Sequence, residues 1–364
     1  MLRIGSLQLE SNVLLAPVAG HCDLPFRLVA RSCGGVGLAF TDLLCPHGVL
    51  KQNRQTRWLM ATCAEDQPLG MQLYGNLPGV MCEAARWAVD RGAKVIDINM
   101  GCPVDKVTKT FAGSMMLCTP EHTARLAERL VNEMATYAPH VPVTAKLRLG
   151  YHDSEPPEWT APALARQLVR AGIRCITIHG RTAAMRFKGT VNLDGIRAVI
   201  DAVHEEGGGK VPGVGNGDIR TPFDAVRMVA ATGCDGVMIA RAALGAPWLL
   251  RDTAHLLAHG EPPPELTLRQ RLACLQSHFD HLLTFRGERY AINRIKQKIG
   301  GYSPHLGPCK TLKQAIMAMT GGSQFASIIT RFLDEAGERA EAVPVTWLER
   351  DAIFRATSPA ARRL

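Results

Sequence analysis

Short apolar runs recur along the first two thirds of the chain, each closing on polar residues, Gly or Pro, and each followed by a stretch with helical spacing. The runs are Asn12 to Val18, Gly37 to Thr41, Leu69 to Tyr74, Val95 to Asn99, Pro142 to Leu149, Cys175 to His179, Val211 to Asn216 and Gly236 to Ala240. Runs of this length that stay apolar throughout are strands buried on both faces, as in a parallel sheet. The intervening segments predict helices: one after Asp23-Leu24-Pro25, stopped by Gly34-Gly35, one between Pro46 and Trp58, and one over Gly79 to Asp90. Thr119-Pro120 opens another with a cap and an N1 proline, its apolar positions at Leu126, Leu130 and Met134. Ala163 to Arg170, Leu193 to His204 capped by Asn192, and Phe223 to Ala231 after Thr221-Pro222 complete the set. Eight strands alternating with helices, with no clear extra strand, predict a parallel (β/α)8 TIM barrel rather than an open doubly wound sheet.

After Trp248 the pattern changes. His259-Gly260-Glu261-Pro262-Pro263-Pro264 reads as a stiff linker. From Leu268 the spacing is helical, with Leu272, Leu275 and Phe279 on one face and Ile292, Ile295 and Ile299 on another, as in an α-helical bundle. The expected division is a barrel over 1–250, a linker over 251–266, a helical domain over 267–340 and a tail over 341–364. Charge follows this division: of the net +9, the last hundred residues from Glu265 contribute +6, from 15 Lys and Arg against 9 Asp and Glu. A basic excess concentrated in a small domain suits a polyanionic partner. On a helix, Arg294 and Lys298 would lie one turn apart and present such a surface.

The 11 cysteines are scattered singly, with no CxxC pair and no close His/Cys cluster. Reduced thiols are therefore expected, with no metal framework. The N-terminus has no basic leader followed by an apolar stretch, and no run approaches the roughly 18 apolar residues of a membrane span. The expectation is a cytoplasmic protein without membrane contact, working as a monomer.

Barrel chemistry sits at the carboxyl ends of the strands, so polar residues there carry the functional signal. Gln72, Asp97, Asn99, Lys146, Arg148, His179, Asn216, Asp218 and Arg241 all fall at such ends. Burying them without partners would cost several kcal/mol each, so a polar group should occupy the space between them. Asp97-Ile98-Asn99-Met100-Gly101-Cys102-Pro103 runs from strand to loop and presents Cys102, a thiol able to act as an acid. The turns Gly215-Asn216-Gly217-Asp218-Ile219 and Ala240-Arg241-Ala242-Ala243-Leu244-Gly245 follow the last two strands, where barrels commonly bind phosphate.

Eight segments in order, Ala16-Pro17-Val18-Ala19-Gly20, Gln72-Leu73-Tyr74-Gly75, Asp97 to Pro103, Ala112-Gly113-Ser114, Lys146-Leu147-Arg148, His179-Gly180-Arg181-Thr182, Asn216-Gly217-Asp218 and Ala240-Arg241, resemble the motifs of the flavin-dependent tRNA dihydrouridine synthases. The bacterial B-type branch is the most similar. The resemblance implies a barrel that binds FMN, a helical domain that binds tRNA, and NADPH as reductant. It implies that Ala16, Pro17, Val18, Gln72, Lys146, His179, Asn216, Gly217, Asp218, Ala240 and Arg241 hold FMN, that Cys102 donates a proton, and that Asn99 and Arg148 meet the target uridine. Two departures stand out: Ala240 replaces the usual Gly, and Ala183 to Phe187 departs from the usual basic residue after His-Gly-Arg-Thr. Alternatives are an FMN-dependent barrel reductase of a small pyrimidine, a Schiff-base aldolase with Lys146 as nucleophile, and a non-enzymatic RNA-binding module.

Overall fold

The computed structural model describes residues 1–52, 54–153 and 157–357, excepting the side chains of 54, 55, 157–159, 354, 356 and 357. By proximity they fall into two units, one formed by Met1–Asp23, Val36–Ile219 and Asp224–Ala240, the other by Leu24–Gly35, Arg220–Phe223 and the chain from Arg241 onward.

The first unit begins with an antiparallel hairpin, β1 (Arg3–Ile4) and β2 (Leu7–Gln8), which is not among the expected strands. Its signal is a Gly5-Ser6 turn between alternating Leu2, Ile4, Leu7 and Leu9, too short to register as strand-length runs. The eight barrel strands follow: β3 (Val13–Leu15), β4 (Leu38–Phe40), β5 (Leu69–Leu73), β6 (Val95–Met100), β7 (Val143–Arg148), β8 (Ile176–His179), β9 (Gly213–Asn216) and β10 (Gly236–Ile239). Each pairs in parallel with the next, and β10 closes the barrel on β3. This is the predicted TIM barrel.

Parallel register points neighbouring side chains the same way, so the barrel interior is layered. At its base Leu14, Leu38, Phe40, Val95, Cys175, Val214 and Met238 form an apolar cluster, sealed by Leu2, Ile4 and Leu9 from the hairpin segment. Two residues further along the strands the interior turns polar, at Gln72, Asp97, Thr144, Thr177 and Asn216, all buried. Outside, Asn192 caps Leu193–Gly207 by accepting from Gly195 N at 2.8 Å. Pro120–Tyr137 starts at its proline as expected, but the Thr119 side chain makes no capping bond.

The second unit is helical. Leu268–Arg286 opens with a capping box between Thr267 and Gln270. Its core includes Trp248, Leu272, Leu275, Phe279, Ile295, Ile299, Tyr302 and Phe325, with Phe279 and Phe325 stacked at 4.2 Å. Three features correct the sequence division. Helix Leu24–Cys33, which follows β3 in the chain, packs along Leu268–Arg286 and belongs to this unit, bringing Phe26 within 5.7 Å of the His278 ring. The expected linker 251–266 is in its first half the helix Leu249–His259, amphipathic enough to bury Leu249, Leu250 and Leu256. The expected tail 341–364 contains the helix Trp347–Thr357, anchored where Trp347 donates through Nε1 to Asp252 Oδ2 at 2.6 Å; residues 358–364 lie outside the described part. No described helix is long and apolar enough to cross a membrane.

Because the hairpin seals the barrel base, Leu9→Ala should lower the unfolding free energy by about 2–5 kcal/mol, the usual cost of truncating a fully buried leucine. Urea melts of this variant checked against Val226→Ala, at an exposed helical position where the change should stay within about 0.5 kcal/mol, measure it.

Candidate active site

The mouth of the barrel is built from the strand ends upward. On β6 and β7 the period-two alternation sends Asp97 and Asn99 inward, and beside them Thr144, Lys146 and Arg148. Asp97 accepts from Thr144 Oγ1 and from Gln72 Nε2, both at 2.6 Å. Gln72 Oε1 in turn accepts from Asn99 Nδ2 at 2.6 Å. Asn99 Oδ1 then accepts from the backbone N–H groups of Gly101, at 3.2 Å, and Cys102, at 2.9 Å. A continuous chain of hydrogen bonds thus runs from the barrel interior to the loop that carries the thiol.

Cys102 is half-buried. From the far side its carbonyl accepts from Ser114 N at 3.0 Å. Gly113 makes this approach feasible: its φ is +62°, and a Cβ there would lie 2.6 Å from the Cys102 carbonyl oxygen. Burial raises the thiol's pKa, opposed by the Val104 backbone, Arg148 and Lys146, so the group stays protonated at neutral pH. A protonated, loop-fixed thiol is what an acid needs.

Lys146 has no hydrogen-bond or ion-pair partner among the described residues. Burial first, and Arg148 second, pull its pKa from the ordinary 10.5 down to about 8, while Asp97 and Cys102 act in the opposite direction. Burial lifts Asp97 to about 6 against the lowering effect of the Gln72 and Thr144 hydrogen bonds and of Lys146. Arg148 is buried and braces loops: Nε donates to Gly101 O at 2.8 Å, and NH1 to Thr182 O at 2.7 Å and Arg186 O at 2.8 Å.

His179 is buried beneath Phe187, with Nε2 3.4 Å from Arg181 NH1. Arg181 pairs with Asp218 at 2.6 Å, and Asp218 also accepts from Val191 N at 3.2 Å, so the Asp218 carboxylate ties its turn to the loop that follows β8. Asn216 donates through Nδ2 to Met238 O at 2.7 Å, tying β9 to β10 at the mouth. Gly217 has φ +123°, and a Cβ there would meet Val191 Cγ1 at 2.4 Å and the His179 ring at 2.9 Å. Ala16 is buried, and its carbonyl accepts from Cys22 Sγ at 2.9 Å; Pro17, Val18 and Ala240 are half-buried. Arg241 falls in the second unit, exposed at the start of the 3-10 turn Arg241–Leu244.

In the second unit one expectation fails. Lys298 is only 5% exposed, with Nζ 5.1 Å from the Phe26 ring, and Arg294 is half-buried, its NH1 bonded to Gln297 Oε1 at 3.2 Å. Lys298 meets the helix Leu24–Cys33 at Phe26, and spacing alone could not reveal that this helix belongs to the unit. Arg289, Lys310 and Lys313 are instead exposed, without ion-pair partners among the described residues.

Sequence alone ranks Asp97 among the strand-end polar groups without giving it a role, and it passes over Thr144. Alternation along Val143–Arg148 is the available signal, since Thr144 shares the face of Lys146 and Arg148.

The site's donors suit an electron-rich ring bearing a phosphate: an inward ammonium, an imidazole, and a loop so tight at Gly217 that its backbone can approach a ligand. A closed parallel barrel with a protonated thiol and cationic donors gathered at its mouth defines a barrel enzyme with its chemistry at the strand ends. The Dihydrouridine synthase (Dus) family model matches residues 14–337. The chain is 34% identical over 323 residues to the tRNA-dihydrouridine synthase B of Proteus vulgaris, covering 89% of this chain and 95% of that protein. It is 35% identical over 304 residues to the protein of that name from Xanthomonas axonopodis pv. citri, covering 83% and 86%. A probable tRNA-dihydrouridine synthase of Rickettsia prowazekii is 34% identical over 307 residues, covering 83% and 88%. Histamine dehydrogenase from Rhizobium sp. 4-9 shares the fold at a TM-score of 0.51 and 15% identity, over 77% of this chain and 50% of that one. The chain belongs to the dihydrouridine synthase family, on its B-type branch.

The Lys146 ammonium is disfavoured in the fold, because its folded pKa of about 8 lies below the unfolded 10.5. Its contribution to stability is therefore lowest below pH 8 and recovers as pH rises from about 8 to 10.5, where the folded protein releases a proton that the unfolded chain retains. In cofactor-free protein, the urea-midpoint advantage of Lys146→Met over wild type should shrink across that window.

Proposed function

We propose that the protein is a tRNA-dihydrouridine synthase that uses bound FMN and NADPH to reduce the C5–C6 double bond of particular uridines. The observation that carries the reading is Cys102, protonated and fixed from both sides by Asn99 Oδ1 and Ser114 N beside the inward-facing Lys146. Family membership supports the reaction class.

Reduced flavin, when bound, would supply a hydride for C6. Cys102 hands its proton to C5, so that the double bond takes up one hydride and one proton, and the thiolate recovers a proton from solvent. Lys146 would offer its ammonium to the electron-rich part of the ring, adding a direct partner to the more distant Asp97 charge. His179 would offer a hydrogen bond nearby, and the Asn216 to Asp218 turn would receive the phosphate. Ala16 to Val18, Gln72 and Ala240 would complete the walls. The target base must leave its stack to reach a barrel mouth, as in other enzymes that act on a base within a folded nucleic acid. Asn99 and Arg148 would meet it there, although much of what each can donate or accept already goes to neighbouring loops.

The helical unit is the natural seat for tRNA, through Arg289, Lys310 and Lys313 in place of Lys298. Changing all three to Ala should weaken tRNA binding and reduce the slope of log affinity against log salt by up to about 0.9 for each phosphate no longer neutralised. Filter-binding titrations at several salt concentrations test this. A slope and affinity equal to wild type would move the tRNA elsewhere.

Purified, folded protein supplied with FMN should retain it and show visible flavin absorption. Cys102→Ala should keep FMN and tRNA affinity yet form dihydrouridine about 10² to 10⁴ times more slowly, the usual range for a positioned proton donor. Turnover at the wild-type rate would remove Cys102 from the chemistry.

A further inference from the structure

Hydrogen-bond chains between amides have a direction, and here the direction has one source. Asp97 is 2% exposed, and although burial lifts its pKa to about 6, the group is ionised at neutral pH. An ionised carboxylate can only accept. Gln72 must therefore turn its Nε2 toward Asp97, which leaves Oε1 facing Asn99. Asn99 must then turn its Nδ2 toward Gln72, which leaves Oδ1 facing the N–H groups of Gly101 and Cys102. Reversing the Asn99 amide would set donor against donor at the loop and release it, and reversing Gln72 would press Asn99 to do so. Thr144 holds the second carboxylate oxygen at 2.6 Å, so Asp97 cannot swing out of the chain.

We propose that Asp97 is a positioning residue for the reduction: by fixing the orientation of the Gln72 and Asn99 amides in series, it sets the conformation of the loop that aims the Cys102 thiol at the uridine ring. This rests on Cys102 being the proton donor. Asp97 touches neither the thiol nor the substrate. It acts through two intervening side chains, and its effect belongs to kcat rather than to tRNA affinity.

The test exchanges the chain's polarity and restores it. Where both carboxylates are ionised, Gln72→Glu sets two acceptors against each other at Asp97 and should lower kcat about 10- to 100-fold, an effect that grows with pH because a proton shared between the two carboxylates keeps the original polarity. Adding Asp97→Asn supplies a donor facing the introduced carboxylate, whose other oxygen again accepts from Asn99, so the loop should see the original polarity. The double variant should recover at least about tenfold in kcat over Gln72→Glu, with FMN content and the KM for tRNA level between the two. A structural defect at either position would instead accumulate in the double variant. Wild-type kcat in Gln72→Glu at a pH where both carboxylates are ionised, or a double variant that is no faster than Gln72→Glu there or is unable to fold, overturns the proposal. Cys102→Ala assayed alongside separates the two readings. If it turns over normally, the proton-donor assignment fails; if it is impaired while the double variant shows no recovery, only the role of Asp97 fails.

Discussion

A carboxylate inside a barrel must be compensated by what surrounds it, and the interior of this one is arranged to do so. Below Asp97 the interior is hydrocarbon from the barrel strands and an N-terminal hairpin. At its own level Thr144 and Gln72 donate to it, and Lys146 supplies countercharge from the neighbouring strand. Desolvation sets the terms for all of them: it raises Asp97, lowers Lys146 and keeps the Cys102 thiol protonated. A polar layer of this kind is costly in a core and persists where function requires it.

The same layer explains which parts of the molecule were legible from sequence. Strand alternation is a local property, so every barrel strand and the inward set of Gln72, Asp97, Asn99, Lys146, Arg148, His179 and Asn216 could be read from spacing alone. What spacing cannot reveal is which other surface a helix meets. Leu24–Cys33 has an ordinary amphipathic pattern, and nothing within it says that its apolar face belongs with Leu268–Arg286 rather than with the barrel. That one displacement also reverses the reading of Lys298, which shares a face with Arg294 but lies over Phe26. In the same way, the run of prolines at 262–264 marks a break without indicating that Leu249–His259 before it is a helix with a buried side.

Lys146 also illustrates how one feature serves several chemistries. A lysine in a barrel strand with its pKa drawn toward neutrality is equally what a Schiff-base aldolase needs. Position alone does not separate the two. The distinction comes from its surroundings: the Cys102 loop, with Gly113 shaped to the Cys102 carbonyl, and the turn at Gly217 shaped to the His179 ring, are constraints for which imine chemistry has no use. They sit within the span that matches the dihydrouridine synthase family.

The hairpin that seals the barrel has a consequence in time. Ile4 shares its apolar cluster with Val214 and Met238, the first of which lies 210 positions later in the chain. A ribosome adding about 5–20 residues per second needs roughly 10–40 s to reach it. Throughout that interval part of the seat of Leu2, Ile4 and Leu9 has yet to be synthesised. The segment that closes the base of the barrel is thus made well before much of the seat it fills.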